Sequence, residues 1–154
     1  MRVMQGFKVD NFAKENPGAV FPWVRSLGRD ECGEIRARLA QRLGIGASSE
    51  ARSLLKRLEQ VAEEVSPVLL NGEDIDLQET LSKVKIAPLE LVYINWYRFD
   101  DIDQMKVKDL DRFLSYIWYP SSDDIEVFDE LFEWILLLRH DGLIRIARFS
   151  TDNR

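Results

Sequence analysis

The sequence predicts an α+β fold, with N-terminal helices packed on a mainly antiparallel sheet that the C-terminal half forms. Between residues 35 and 65, and again between residues 77 and 84, apolar residues recur every three or four positions, which is the spacing of one helical face. From residue 86 onward, β-branched and aromatic residues cluster in short runs that favour strands. We therefore predict a single domain whose helices cover one face of the sheet. Its parts are an ordered arm (1–28), a helical part (29–85) and a strand-rich part (86–149).

Chain breakers separate the arm from the first helix. Pro17-Gly18 and Phe21-Pro22 interrupt regular structure within the arm. The first helix is predicted to begin at Asp30, and Gly44 is the residue type that ends helices. Its buried face is predicted to contain Ile35, Leu39 and Leu43.

The second helix has the clearest helical periodicity. Apolar residues repeat at three and four over 51–65, and Ser66-Pro67 ends the pattern. A turn at Asn71-Gly72 follows. Asp76, with Glu79 three residues later, then forms a capping-box pattern that predicts a short third helix over 76–84.

Leu89–Tyr97 is dense in β-branched and aromatic residues, which predicts a central strand. A further short amphipathic helix is predicted over 110–117, because its apolar residues again have helical spacing. Residues 125–138 fit both a helix and two strands. We favour two strands, because Asp141-Gly142 suits a tight hairpin turn and residues 143–148 alternate as a returning strand should.

Composition sets the compartment and the class of protein. Hydrophobic residues make up 45% of the 154 residues, which is enough to build a core without a partner. Cys32 is the single cysteine, so no internal disulfide can form, and no apolar run reaches the roughly 20 residues of a membrane helix. The first residues lack the apolar stretch of a secretory signal. These observations predict a cytoplasmic protein without membrane association.

The formal charge of -6 is unevenly distributed. Residues 1–70 carry 11 basic and 9 acidic residues, whereas residues 71–154 carry 10 and 18. The window 100–133 alone holds eleven acids against three bases. Such a window repels nucleic acid and steers a basic protein toward it, although a solvated acidic surface that serves only solubility would give the same composition.

The residue types of catalysis and metal binding are present without a diagnostic spacing. His140, the single histidine, lies beside a predicted turn, and Cys32 lies near a helix N-terminus, where packing is the expected role. The acids at 100–103 and 109–111 lack the glycine and terminal glutamate of a calcium loop. Clustered carboxylates in a hydrolase remain an alternative that requires two acids facing one pocket. We expect neither a cofactor nor a metal.

Residues 39–58 resemble a helix-turn-helix motif, which gives the alternative function of a DNA-binding regulator. The alanine within the first helix and the glycine in the turn fit that family, which would offer Ser49, Arg52, Lys56 and Arg57 to DNA. Glu50 departs from the pattern, because an apolar residue is usual there, and Gly46-Ala47 lengthens the turn. The acidic second half makes nucleic acid an unfavourable partner.

Aromatic residues accompany the acidic window. Core packing is the default for most of them, and any ring exposed beside Asp123 or Glu126 is predicted to anchor a partner, since Trp and Tyr are enriched at the centres of interfaces. The set consists of Trp96, Tyr97, Trp118, Tyr119, Phe128, Phe132 and Trp134.

Three segments near the C terminus resemble a known class of proteins. They are Trp118–Asp124 (WYPSSDD), Phe132–Leu136 (FEWIL) and His140–Gly142 (HDG). Over 118–142 the chain resembles the C-terminal part of small acidic bacterial α+β proteins of uncharacterised or immunity-protein type. The resemblance implies a protein that binds and blocks a partner enzyme, often a basic toxin, without chemistry of its own.

The first hypothesis is therefore a non-enzymatic protein-binding module of immunity or inhibitor type, whose acidic aromatic face binds a basic protein. The predicted binding residues are Asp100, Asp101, Asp103, Trp118, Tyr119, Asp123, Asp124, Glu126, Asp129 and Trp134.

Overall fold

The computed structural model describes residues 6–46, 50–65, 76–119 and 122–149. Helices and strands within these ranges confirm the predicted α+β class. In chain order they are α1 (Gly6–Glu15), β1 (Val24–Ser26), α2 (Arg29–Arg42), α3 (Ala51–Val61), β2 (Glu63–Glu64), α4 (Leu77–Lys83), β3 (Leu91–Tyr97), β4 (Asp101–Lys106), α5 (Val107–Arg112), α6 (Leu114–Ile117), β5 (Ile125–Phe128), β6 (Trp134–Leu138) and β7 (Ile144–Arg148).

The strands form one seven-stranded sheet in the order β1-β4-β3-β5-β6-β7-β2. Every strand pairing within the described residues is antiparallel. The central position predicted for β3 is confirmed, because β4 and β5 pair on either side of it. The two strands preferred over a helix for 125–138 are confirmed as β5 and β6. Gly142, at φ +84°, lies in the predicted turn before β7.

Helices cover both faces of the sheet, which corrects the prediction of one covered face. Leu39, Leu54 and Leu58 of α2 and α3 are buried in a cluster on one face. Leu81, Leu110 and Ile117 of α4, α5 and α6 are buried in a second cluster on the other face. The physical reason lies in β5 and β6, which are buried at every position and therefore need apolar cover on both sides.

The arm contributes a helix and an edge strand that the sequence analysis did not assign. Helix α1 packs through Phe12, whose ring makes edge-to-face contacts at 5.3 Å with Phe21, Phe113 and Tyr116. Strand β1 pairs with β4, with Val24 opposite Met105. The arm is thus joined to both the helices and the sheet.

The second predicted helix, α3, ends at Val61 rather than at Val65. The backbone of Ala62 is already extended, at φ -75° and ψ 143°. Residues 63 and 64 pair with β7 instead, and the Val65 amide donates to the carbonyl of Ile144 at 2.9 Å. Hydrogen bonding to the sheet edge therefore replaces the last helical turn. The predicted Ser66-Pro67 stop and Asn71-Gly72 turn lie outside the described residues.

Carboxylates cap α4 as its sequence predicts. Asp76 accepts a hydrogen bond from the Glu79 amide at 2.8 Å. Asp111, from α5, accepts another from the Leu77 amide at 2.8 Å. The single helix predicted over 110–117 is present as α5 and α6, which are separated at Phe113, where φ is -111° and ψ is 21°.

Strand β4 was not predicted, because the turn that leads to it lacks the usual residues. Arg98 and Phe99 both have positive φ, at 51° and 56°, and the Asp100 amide donates to the Tyr97 carbonyl at 2.9 Å. Residues 98–100 form a three-residue connection, and two successive positive φ angles are the conformation that Asn-Gly pairs normally supply in hairpin turns. The β3–β4 register shifts between Asn95 and Tyr97, which marks a bulge just before the turn.

None of the helices in the described part of the chain is long and apolar enough to span a membrane.

Candidate functional site

A cleft of about 480 Å³ opens where β3 ends, β5 begins and β6 ends, beside α3. Antiparallel pairing brings these strand ends to one edge of the molecule, since Ile125 is opposite Leu138. Side chains from α3 and two loops complete the walls. The lining residues are Leu55, Glu59, Asn95, Trp96, Tyr97, Arg98, Ser122, Asp123, Asp124, Glu126 and Arg139.

The floor of the cleft is a buried polar network on adjacent strands. Asn95 of β3 lies opposite Glu126 of β5, and its amide donates to Glu126 Oε1 at 2.5 Å. Arg139 Nη1 donates to Glu126 Oε2 at 2.5 Å and to the Ile125 carbonyl at 3.3 Å. Both oxygens of Glu126 are therefore engaged, which satisfies a buried carboxylate.

Helix α3 closes this network from above. Glu59 accepts from Arg139 Nε at 2.8 Å through one oxygen. Through its other oxygen it accepts from Arg145 of β7. Leu54 and Leu58, one turn apart, bury the same helix against the sheet and so fix where Glu59 points. The pairing ties α3 to the ends of β6 and β7.

Burial raises the pKa of the Glu126 carboxyl, while the guanidinium of Arg139 and the amide of Asn95 oppose that rise. Burial would lower the pKa of Arg139, but the carboxylates of Glu126 and Glu59 outweigh it and raise the pKa. Arg139 therefore stays charged, and Glu126 is the member of the pair that takes up a proton first.

The hairpin Tyr97–Asp100 forms the rim of the cleft. Tyr97 is 60% exposed, and the guanidinium of Arg98 lies 5.0 Å from the centre of its ring. Left-handed backbone at two successive residues with side chains costs about 1–2 kcal/mol each. The Asn95 side chain offsets part of this cost, because its Oδ1 accepts from the Phe99 amide at 2.9 Å. Strain of this kind concentrates at functional sites, which marks the rim as a candidate contact surface.

Behind the cleft, Lys8 of α1 is fully buried. Its ammonium pairs with Asp123 and donates to the Ile117 carbonyl at 2.5 Å. The centre of the Tyr119 ring lies 3.9 Å from Nζ, and that of the Trp96 ring lies 4.9 Å from it. Trp96 and Asp123 are thus shared between the cleft and the environment of Lys8.

Ion pairing balances most of the charge at the cleft. Glu126 and Glu59 pair with Arg139 and Arg145, and Asp123 pairs with Lys8. Asp124 is half-exposed and accepts from the backbone and the ring of His140. The predicted acidic face is therefore mostly charge-paired at this edge of the molecule.

The predicted binding residues on the surface are fewer than expected. Asp100 is 65% exposed and pairs with Arg36, and Asp124 is 48% exposed. Asp101 is half-buried at the start of β4, where it lies opposite Tyr97. Tyr119 and Asp123 are half-buried and joined, since the Tyr119 amide donates to Asp123 at 2.9 Å.

Three of the predicted carboxylates are buried within the fold, which corrects their assignment to an exposed face. Asp103 accepts from Trp96 Nε1 at 2.9 Å and from Ser26 Oγ at 2.6 Å. Asp129 accepts from the Leu89 amide at 3.1 Å, at the opposite end of β5 from the cleft. Glu126 lies in the floor network. Each carboxylate is buried because it accepts hydrogen bonds that the fold would otherwise leave unsatisfied.

The tryptophans of the predicted face are also interior. Trp118 is buried and donates through Nε1 to the Asp123 carbonyl at 3.0 Å. Trp134 is buried in the cluster under α4, α5 and α6, at the end of β6 remote from the cleft. Both tryptophans pack in the core, which is the role predicted for most residues of the aromatic set. Tyr97 is the member of that set that the structure places on the surface beside the carboxylates.

Four residues that line the cleft were not among the predicted site residues: Glu59, Asn95, Arg98 and Arg139. One sequence feature indicated part of this network. Asn95 and Glu126 interrupt otherwise apolar strand segments, and a polar residue at a buried strand position needs a partner. Lys8 carried no such sign, because the arm had no assigned structure.

The other candidates for chemistry have structural roles. Cys32 is buried in the core under α2 and α3, and burial raises the pKa of its thiol, which makes it a poor nucleophile. No cluster of potential metal ligands is found among the described residues.

The helix-turn-helix resemblance departs from the motif in the folded chain. Residues 43–50 separate α2 from α3, whereas the motif joins its helices by about three or four residues. Arg52, Lys56 and Arg57 are exposed, and Arg57 donates to the Leu43 carbonyl at 3.4 Å. Ser49 lies outside the described residues.

We expect the imidazole of His140 to titrate with a pKa above its ordinary value of 6.5, because Asp124 Oδ1 lies 2.9 Å from Nδ1 and favours the charged ring. The stability that this pair contributes is present below pH 6.5 and is lost as the pH rises through the raised pKa. An NMR titration of the ring protons measures it. Asp124→Asn should return the pKa toward 6.5, whereas Asp141→Asn should change it much less. An unchanged titration in Asp124→Asn would contradict the assignment.

No family model matches this chain, and no curated protein or solved structure is similar to it.

Proposed function

We propose that this protein is a non-enzymatic binding module of immunity or inhibitor type, which acts in the cytoplasm on a basic partner protein. The observation that carries the proposal is Tyr97, an exposed ring on a strained hairpin beside carboxylates. Tyrosine is enriched among the residues that dominate interface energies. The proposed contact surface consists of Tyr97, Arg98 and Asp100 on the rim, together with Asp124.

Of the four acids that line the cleft, Glu126 and Glu59 have both oxygens engaged, which argues against their use as catalytic groups. A general acid or base needs a free oxygen toward the substrate, and both oxygens of Glu126 are hydrogen-bonded. Both oxygens of Glu59 are likewise held by Arg139 and Arg145. Groups that are fixed in this way position a surface, and they suit binding better than proton transfer.

Negative charge on the protein surface also supports the proposal. The chain carries a net charge of -6, the exposed Asp100 lies in the same turn as Tyr97, and the exposed Asp124 lines the same cleft. Long-range attraction of a basic protein accelerates encounter, and the ring then supplies desolvated contact area. Association should therefore weaken as salt rises, because surface charges are screened over about 8 Å at physiological ionic strength.

Affinity capture from a lysate of the source cells, followed by titration calorimetry with the captured and purified partner, tests the proposal. Tyr97→Ala should weaken binding by about 2 kcal/mol or more, which is roughly thirtyfold in the dissociation constant. The double reversal Asp100→Lys, Asp124→Lys should slow association. Glu90→Lys is the matched control, since Glu90 is exposed and lies just before the opposite end of β3.

Two results would overturn the proposal. One is capture in which no basic protein is retained by the wild type. The other is a partner whose affinity is the same for Tyr97→Ala, the double reversal and Glu90→Lys, since contact would then lie elsewhere.

A further inference from the structure

Lys8 has the surroundings of a bound ligand. A buried ammonium is costly unless it is paired and hydrogen-bonded, and here it has Asp123, the Ile117 carbonyl and three aromatic rings, two of which lie outside α1. Rings around a cation within about 6 Å form the arrangement by which proteins recognise alkylammonium groups. We call the set of Trp96, Tyr119, Asp123 and the Ile117 carbonyl the ammonium cage.

Trp96 and Asp123 of the ammonium cage are held in place by residues outside α1, whereas the Tyr119 hydroxyl accepts from Asn11 of α1 at 3.0 Å. The indole of Trp96 donates to Asp103 at 2.9 Å. Asp123 accepts from the Tyr119 amide at 2.9 Å, and the Trp118 indole donates to the Asp123 carbonyl at 3.0 Å. The bonds that hold Trp96 and Asp123 do not involve α1, so this part of the site would stay preorganised if another cation replaced Lys8.

Helix α1 buries two side chains, those of Lys8 and Phe12, while the ring of Phe7 is 54% exposed. The chain then passes through Pro17-Gly18, with Gly18 at φ +83°, before it reaches β1. Burial lowers the pKa of Lys8, and the bond and charge of Asp123 oppose that change. Holding the ammonium therefore carries a desolvation cost, and segments with few buried contacts open most readily.

We propose that the ammonium cage is a recognition site for a lysine side chain, which α1 fills in the unbound protein and a lysine of the basic partner fills in the complex. This inference rests on the proposed function, and it names the group that is recognised and the segment that competes for it. Trp96 and Asp123 are walls of both the cage and the cleft, so the cage adjoins the cleft, and a lysine in the cleft would enter the cage once α1 has left it.

The geometry favours an ammonium over a guanidinium. The contacts to Lys8 are single acceptors, one carbonyl and one carboxylate, around a compact point charge. A guanidinium is planar and prefers two acceptors side by side, such as both oxygens of one carboxylate. The cage instead contacts the Lys8 ammonium through one oxygen of Asp123 and one carbonyl. Lysine is therefore the expected residue of the partner.

The test uses n-butylammonium as the probe and n-butylguanidinium as its matched control. Lys8→Ala combined with Phe12→Ala removes the internal occupant and its anchor. If α1 leaves the cage in about 1–10% of wild-type molecules, this variant should bind n-butylammonium about 10- to 100-fold more tightly than the wild type by calorimetry. Adding Asp123→Asn should abolish that gain, and n-butylguanidinium should bind weakly throughout.

Hydrogen exchange on the wild type gives an independent reading that needs no variant to fold. Saturating n-butylammonium should speed exchange of the amides of residues 6–15, and n-butylguanidinium should not. An α1 that stays protected, or a double variant with no gain in n-butylammonium affinity, would overturn the inference. Neither measurement involves Tyr97. The inference about the ammonium cage can therefore fail while Tyr97→Ala still weakens partner binding, and the proposed function can fail while n-butylammonium still binds in the cage.

Discussion

Arg139→Leu should lower the free energy of unfolding by about 3–5 kcal/mol, because it leaves the buried carboxylate of Glu126 without its cation. The leucine also removes the bonds to Glu59 and to the Ile125 carbonyl. The exposed part of the Arg139 side chain is only 12%, so water cannot replace these contacts. Urea denaturation of the two proteins measures the difference.

The loss should depend on pH with a definite sign. Burial raises the pKa of Glu126 above its ordinary value of 4.5, and without Arg139 the rise becomes larger. The folded state then keeps a proton that the unfolded chain releases, so stability falls as the pH rises from 4.5 through the raised pKa. The variant should therefore be least impaired in acid and most impaired once the pH exceeds the raised pKa of Glu126.

A second substitution separates charge from shape in this prediction. Glu126→Gln in the Arg139→Leu background removes the unpaired charge and keeps an oxygen that can accept from Asn95. Most of the lost stability should return, and the added pH dependence should vanish. If Arg139→Leu alone were as stable as the wild type at every pH, the Arg139–Glu126 pair would contribute nothing to the stability of the fold.

Asp103→Ala should destabilise the fold by about 1–3 kcal/mol, because it leaves the buried donor Trp96 Nε1 unsatisfied and also removes the bond from the half-buried Ser26 Oγ. Asp103 is fully buried in β4, and its bond to Ser26 links the sheet to the edge strand β1. A binding residue on the surface would instead affect affinity and leave stability nearly unchanged.

Thermal or chemical denaturation measures this second prediction, with Asp100→Ala as the control. Asp100 lies three residues earlier, is 65% exposed, and makes a surface ion pair of a kind worth about 0–1 kcal/mol. Asp103→Asn keeps one acceptor and should fall between the two variants. Equal stability for Asp103→Ala and Asp100→Ala would contradict a structural role for Asp103.

Local sequence rules predicted the elements that local physics determines. Four predicted features are present, because capping, periodicity and turn chemistry act within a few residues. They are the helix end before Gly44, the Asp76 cap, the central strand β3 and the hairpin at Gly142. The preference for strands over 125–138 was also correct, because the following turn decided between two equal periodicities.

The elements that were not predicted depend on contacts distant in sequence. The last turn of α3 is lost to pairing with β7, more than eighty residues away, and α1 is joined to the fold through Tyr116, Ile117 and Asp123. The turn at Arg98 and Phe99 lacks the residues that turns of its type favour, so β4 carried no local sign.

The candidate site was only partly visible in the sequence for a related reason. Counting carboxylates located Asp123, Asp124 and Glu126, three residues that line the cleft. Composition did not show that Lys8, Arg139 and Arg145 would neutralise their surroundings, since these bases come from remote parts of the chain. Exposure was equally hidden, because a strand that is covered on both faces buries even its charged positions.

The strands at the open edges of the sheet bear on how the protein behaves at high concentration. Among the described strands, β1 has three residues and β2 has two, both of them exposed glutamates. The long apolar strands lie inside, where both edges are already paired. A growing fibril needs an extended, uncharged edge to template the next chain, and here the exposed borders are short or negatively charged. The architecture thus disfavours amyloid-like stacking through its own margins.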